Sequence, residues 1–323
     1  MTIVSGTSAY AIYGWETTYG TASGTIDKSF GHDVKITAFD MKNNTEKLYG
    51  LGNNEAQKNV VKQFEGSISL EWVLGNGYFL KAITGNTPTD AGSGPYTHTY
   101  VDGAHPMAKT IPSMTIDNGI DLDTDYRGKI TGAVMNTLKL GATEGELVKV
   151  SADFLFESID KDATVSSNIA DSWAEPFNFS HGCMEMPDGT TISYVKDFDL
   201  TINRNTELIR STCSRFPQSA VSKKLEYDFT ADITFDDVSE MEDFLGGSSG
   251  PVANPSELAS IKLTFDNGKS STDQRKLEIK LEGIQLDEFS LPQSVDDIIN
   301  ESLTFSVRKL TSAVLTDNNA TAL

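Results

Sequence analysis

Reactive residues are scarce in this chain: two cysteines and four histidines among 323 residues. Cys183 and Cys213 lie far apart and form no CxxC, which excludes a disulfide framework and leaves two reduced structural thiols. His32, His98, His105 and His181 stand apart from one another, and only "HGC" brings a histidine, His181, near a cysteine, Cys183. Two ligands without further partners do not make a zinc centre. There is no P-loop, no GxGxxG after a strand, no HExxH and no GxSxG, so neither an enzyme nor a cofactor is expected. Basic residues are also few, 26 Lys and Arg against 46 Asp and Glu for a net charge of -20. That balance excludes a surface that grips phosphate by counterion release. No apolar run approaches the ~20 residues of a membrane span, and "MTIVSGTSAY" has no basic leader region. Manufacture and use in the cytoplasm are therefore expected.

What the chain has in quantity is turn chemistry and alternation. Twenty-six glycines with many Ser, Thr, Asn and Asp favour a β-rich fold. In "NVVKQFEGSISLEWVLGNGYFL", Phe64, Ile68, Leu70 and Trp72 share one face while Glu65, Ser67, Ser69 and Glu71 share the other. Tyr227, Phe229, Ile233 and Phe235 oppose Glu226, Asp228, Thr230, Asp232 and Thr234 in the same way. Each strand runs into a short helical plug, around Asn76 to Ile83 and in "SEMEDFL" at Ser239 to Leu245.

These passages belong to an internal repeat. Phe64 aligns with Phe229 and Phe79-Leu80 with Phe244-Leu245, a shift of 165. "FDMKNNTEKL" aligns with "FDLTINRNTEL" at 159, moving to 161 at Asn44 against Asn205. "TIDNG" at Thr115 aligns with "TFDNG" at Thr264, both read as turns, and Gly132 to Phe156 aligns with Gly283 to Val307 at a shift of 151. Each copy reads strand, long loop, strand, small helix, strand, turn, strand, strand. The expected organisation is an N-terminal arm over 1–28 that orders on assembly, then a first module over 29–161 carrying a loop-like insertion at 86–106. A linker follows over 162–174, then a second module over 175–315 and a tail over 316–323. The acidic pairs Asp236-Asp237 and Asp296-Asp297 read as solvated loop charges, and "DNGIDLDTD" at Asp117 to Asp125 lacks the spacing of an EF-hand.

The opening "SAYAIYGWETTYGT" with "KSFG", then "GSISLEW", "GYFLKAITG", "PSMTIDNG" and "YRGKITGAVMNTLKL", resembles the tail tube (major tail) proteins of long-tailed bacterial and archaeal viruses. The resemblance covers most of the chain. It implies a mainly β fold of two tandem tail-tube modules, each a sandwich or partial barrel of antiparallel strands with one short flanking helix. It implies a virion protein, assembled in the host cytoplasm, whose rings stack into a tube for DNA delivery. A single tube module needs about half of this chain, so the duplication resembles fused tubes in which three subunits supply six modules. Implied partners are other copies of the chain, the tape measure protein inside the tube, and terminator and baseplate or tip proteins at its ends.

On that reading the polar strand faces line the channel, where carboxylates repel DNA phosphates and let the genome slide. The candidates are Glu65, Ser67, Glu71, Asp153, Glu226, Asp228, Asp232 and Thr304. The alternation leaves open whether these carboxylates instead face outside solvent. The connections Tyr49 to Lys58 and Ile209 to Ser222 are long and carry exposed bulky residues, so Tyr49, Leu51, Asn53, Arg210, Arg215 and Phe216 are candidates for contact between stacked rings. The rival reading is a carbohydrate-binding or adhesin-like β-sandwich protein, for which Trp15 and Trp173 would be available. Particle shape separates the two, tubes or three-lobed rings against compact monomers.

Overall fold

The structure is a computed structural model that describes residues 9–120, 126–161, 175–270, 273–293 and 298–321. The expected linker, Trp173, the Asp296-Asp297 pair and the acidic end of "DNGIDLDTD" lie outside the described residues. Strands dominate and all their pairings are antiparallel.

In the first half the strands are β1 (Ala9–Trp15), β2 (Lys28–Ser29), β3 (His32–Lys42), β4 (Glu46–Tyr49), β5 (Ala56–Val60) and β6 (Glu65–Val73), followed by helix α1 (Leu80–Thr84). Then come β7 (Thr89–Gly92), β8 (Tyr96–Val101), β9 (Met114–Ile120), β10 (Tyr126–Thr143), β11 (Lys149–Phe156) and β12 (Ser158–Asp160). The second half has β13 (Gly182–Glu185), β14 (Val195–Asn203), β15 (Glu207–Arg210), β16 (Pro217–Val221) and β17 (Glu226–Thr234). It ends with α2 (Ser239–Leu245), β18 (Leu258–Asp266), β19 (Lys276–Ser290) and β20 (Asn300–Asp317).

Four strands of each half form one run, β3-β6-β11-β10 and then β14-β17-β20-β19. The halves join edge to edge where β10 pairs with β14, from Thr137 opposite Asn203 to Thr143 opposite Asp197. Strands β10 and β19 are long because each serves two layers. The first part of β10 pairs with β9, and β9 pairs with β1; the first part of β19 pairs with β18, and β18 with β13. Both long strands turn at a glycine in the left-handed region, Gly132 at φ 64° and Gly283 at φ 67°. A Cβ on Gly132 would meet the Glu157 Cβ at 2.7 Å, so the bend has no room for a side chain.

Between the layers lies the core, which includes Phe30, Trp72, Phe79, Phe154, Phe229 and Phe305. Trp72 meets Phe79 edge-on at 5.3 Å, just before α1, which buries Leu80, Ala82 and Ile83 as the plug predicts. Each buried phenylalanine contributes about 1.5–3 kcal/mol.

Several expectations change. The repeat's middle strands align at a shift of 161, not 165: Phe154 lies opposite Ile68 and Phe305 opposite Phe229, so Ile68 is the counterpart of Phe229. The same shift relates Asp33 to Tyr194 and Asn44 to Asn205, all four with positive φ, and the helix-ending Gly85 to Gly246. The two "DNG" motifs are not equivalent. Asp117 to Gly119 lies inside β9, with Asp117 fully buried and ion-paired to Arg127 at 2.5 Å, whereas Gly268 sits in a turn after β18. The segment expected to be an N-terminal arm supplies β1, which pairs along all of β9 and buries Tyr13 completely. The insertion at 86–106 is a hairpin rather than a loop, and its strand β8 pairs with the end of β20 in the other half. That last strand runs to Asp317, two residues beyond the expected end of the second module.

Candidate channel face and assembly edges

Residues directly opposite one another in a ladder share a face of the sheet. The register across the eight-strand run therefore places side chains without further assumption. Glu71 lies opposite Lys35 and Ser151, Ser67 opposite Asp40, and Glu65 opposite Lys42. Asp153 lies opposite Thr137, which faces Asn203, which in turn faces Glu226. Thr201 lies opposite Asp228, Asp197 opposite Asp232, and Thr304 between Thr230 and Glu288. All eight channel-lining candidates, Glu65, Ser67, Glu71, Asp153, Glu226, Asp228, Asp232 and Thr304, thus fall on one continuous face. The opposite face carries the core residues Ile68, Leu70, Phe154, Leu138, Leu200, Phe229 and Phe305.

The polar face also holds residues that the pattern reading passed over: Asp40 on β3, Asp197 and Asp199 on β14, Lys139 on β10 and Glu288 on β19. The alternation in "VKDFDLTIN" carried the signal for two of these. Ser69 Oγ donates to Asp153 Oδ1 at 2.6 Å, and Lys139 pairs with Asp199 at 3.0 Å. Partial burial, then Asp232 and Asp199, push the Asp197 carboxyl above its usual range. The face is predominantly acidic but not uniformly so.

The long connections are two-stranded hairpins, β4 with β5 and β15 with β16. Tyr49, Leu51 and Asn53 stand at the exposed end of the first, with Leu51 fully open to solvent. Asn53 Oδ1 accepts from the Glu55 amide at 3.0 Å, which shapes that end. The second hairpin leans on the first half of the chain. Arg210 donates to the Phe64 carbonyl at 2.9 Å, the Phe64 amide donates to the Arg215 carbonyl at 3.0 Å, and the Phe216 ring lies 5.6 Å from that of Phe64. Arg215 also donates to Asn43 Oδ1 at 2.5 Å.

Arg204 makes a second tie between the halves. Fully buried, it donates to the carbonyls of Ile83 and Ala108, the latter at 3.1 Å, and burial pulls its pKa down to about 10.

Two edges of the eight-strand run have no partner among the described residues. One is the outer side of β3, which pairs only with β6. The other is β19 beyond Ile284, where its pairing with β18 ends while that with β20 continues to Ser290. Apolar side chains are left open at the β3 edge. Met41 is 49 % exposed, whereas its counterpart Ile202, opposite Leu138 across the internal junction, is 2 % exposed.

A profile of the phage tail tube protein family matches residues 6–307. The chain belongs to the phage tail tube protein family. No curated protein matches it. Family membership makes it a structural component of a viral tail that assembles with its own kind into a tube. The match begins ahead of β1 and runs into β20, so it takes in both halves and the insertion hairpin.

Proposed function

We propose that three copies of the chain close into a ring, that the rings stack into a tube, and that the polar face of the eight-strand run lines the channel through which DNA leaves the virion. The observation that carries this reading is the β10–β14 junction. There two four-strand halves join edge to edge within one chain, which is the kind of contact that a closed ring would need between chains. On this reading the two units are 29–161 and 175–315, with β1 added to the first. Three chains supply six units, and every edge then finds a partner, which removes the aggregation hazard of open strands. Tape measure protein would occupy the channel before DNA, and terminator and baseplate or tip proteins would cap the ends of a tube assembled in the host cytoplasm. An acidic channel keeps phosphates from adhering. The exposed hairpin end at Tyr49, Leu51 and Asn53 reaches a neighbouring copy, in the ring or the next ring, as Arg210, Arg215 and Phe216 reach the first half.

On this reading the contact between chains repeats the register of the internal junction. Carrying β10 forward by 151 and β14 back by 161 sets Glu288 opposite Lys42, Phe289 opposite Met41, Ser290 opposite Asp40 and Leu291 opposite Phe39 of the next chain. Opposite charges meet on the polar face, and Phe289 and Leu291 cover the half-open Met41 and Phe39. The test is the double variant Ser290→Cys with Asp40→Cys, oxidised after assembly, since directly opposed strand residues lie within disulfide reach. Denaturing gels should show chains linked up to a closed species of three. Tubes that form but do not cross-link would overturn the register. Purified chain that forms no tube or ring under any assembly condition would overturn the function.

A further inference from the structure

The end of β17, the start of α2 and the start of β20 bring four carboxylates together. Oxygens of Asp236, Asp237 and Glu240 all lie within 4.8 Å of one another. The two aspartates are exposed and Glu240 is 8 % exposed, so the cluster opens to solvent on one side and is closed on the other. Glu301, 1 % exposed on the core face of β20 with Leu303 and Phe305, lies close enough to these three carboxylates to feel their charge. Neither carboxylate oxygen of Glu301 has a hydrogen-bond partner, nor has Oε2 of Glu240. A buried carboxylate with nothing to bond costs far more than one left in water. Here two of them sit near each other with two more negative groups at the rim, and no Lys, Arg or His pairs with any of the four among the described residues. The other charged groups nearby, Asp243 and Glu242 on α2, are also acidic.

We propose that Asp236, Asp237 and Glu240, backed by Glu301, bind one divalent hard cation of the calcium class. Hard cations take oxygen ligands in flexible geometry, and Ca²⁺ tolerates the uneven spacing of loop and helix carboxylates better than Mg²⁺ does. The Ser239 amide donates to Asp237 Oδ1 at 2.7 Å, which holds that carboxylate at the start of α2. A bound cation neutralises the two buried carboxylates and fastens α2 to the beginning of β20, over the core that the polar face of the run backs onto.

The experiment uses chelator-treated full-length chain titrated with CaCl2, then MnCl2, at pH 8, with calorimetry and thermal unfolding as readouts. Calcium should bind with a Kd in the ~0.1–1 mM range of low-affinity extracellular sites and raise Tm to a plateau. Asp236→Asn with Asp237→Asn, both exposed and near-isosteric, should weaken binding at least tenfold without loss of fold. Glu301→Gln should raise the ion-free Tm at pH 8 and also weaken calcium tenfold or more. A wild type that gives neither heat nor a shift in Tm would show that the cluster takes no cation. A response equal in wild type and the double variant would assign the ions to the general acidic surface. Either result overturns the proposal, and neither bears on tube formation.

Discussion

His98 illustrates how one side chain holds the two halves together. It lies on β8, fully buried, with Nδ1 at 2.6 Å from Asp90 Oδ1 and Nε2 at 3.1 Å from Asp317 Oδ1. Tyr78 donates to the other oxygen of Asp317 at 2.5 Å. Burial draws the pKa of His98 down, but its hydrogen bonds to the carboxylates of Asp317 and Asp90 outweigh it and leave the imidazole above its usual value. A raised folded pKa gives stability that is complete below the unfolded value of about 6.5 and lost as pH rises through the folded one. Melting temperature should therefore decline as pH is raised from neutrality into the alkaline range. His98→Ala should abolish that portion of the profile and cost about 3–5 kcal/mol at pH 6, since it strands a buried Asp317. Thermal scans across pH measure both, and a variant with an unchanged slope would show that the clamp does not titrate there. Nothing in the sequence pointed to this cluster, because the β7–β8 hairpin sets Asp90 opposite His98 and only the pairing of β8 with β20 brings in Asp317 from the other half.

At the scale of elements, the alternation was legible and the strand correspondence between the halves was not. Alternation identified β6 and β17 as amphipathic and put the correct residues on each face, but a side-chain period of two makes a shift of 161 and one of 165 look alike. Both shifts leave every apolar residue on the apolar side. The ladder, Ile68 to Phe154 and Phe229 to Phe305, distinguishes them, in agreement with the positive-φ pairs and the helix-ending glycines. Gly132 and Gly283 align at a shift of 151 in the sequence, and the structure adds that both have positive φ and bend their strands. The hairpins were read as loops because their strands are four and five residues long and mostly exposed, so β4 and β5 have no apolar face to betray them. Exposure is also what makes β4–β5 testable. Replacing the segment from Leu48 to Gln57 with a short Gly/Ser linker removes no buried core residue. Folded chains that no longer polymerise are the expected outcome in circular dichroism and negative-stain images, and tubes of normal length would eliminate the hairpin as an assembly contact. The equivalent replacement in β15–β16 is less clean, because that hairpin also holds Phe64 and Asn43 within the chain.

For the whole molecule, the two halves supply equal four-strand shares to the run yet differ in what they carry outside it. Only the first has the β7–β8 hairpin, and β8 pairs with Ala313 to Asp317, the part of β20 that lies beyond the polar face. The hairpin therefore extends the second layer, away from the side that Asp228, Asp232 and Thr304 occupy. If the polar face is the channel wall, the hairpin lies on the outside of the tube, once per chain. A ring of three chains then has near six-fold symmetry inside, where all units contribute β3-type and β10-type edges, and strict three-fold symmetry outside. The channel would carry the acidic excess while Lys139 and Lys149 temper it. Cryo-electron microscopy of assembled tubes should show three hairpins per ring at 120° on the outer surface, with Asp153, Asp228 and Asp232 facing the bore. Six hairpins per ring would mean that each chain contributes one wall unit, and hairpins inside the bore would mean that the apolar and polar faces had been assigned to the wrong sides of the tube.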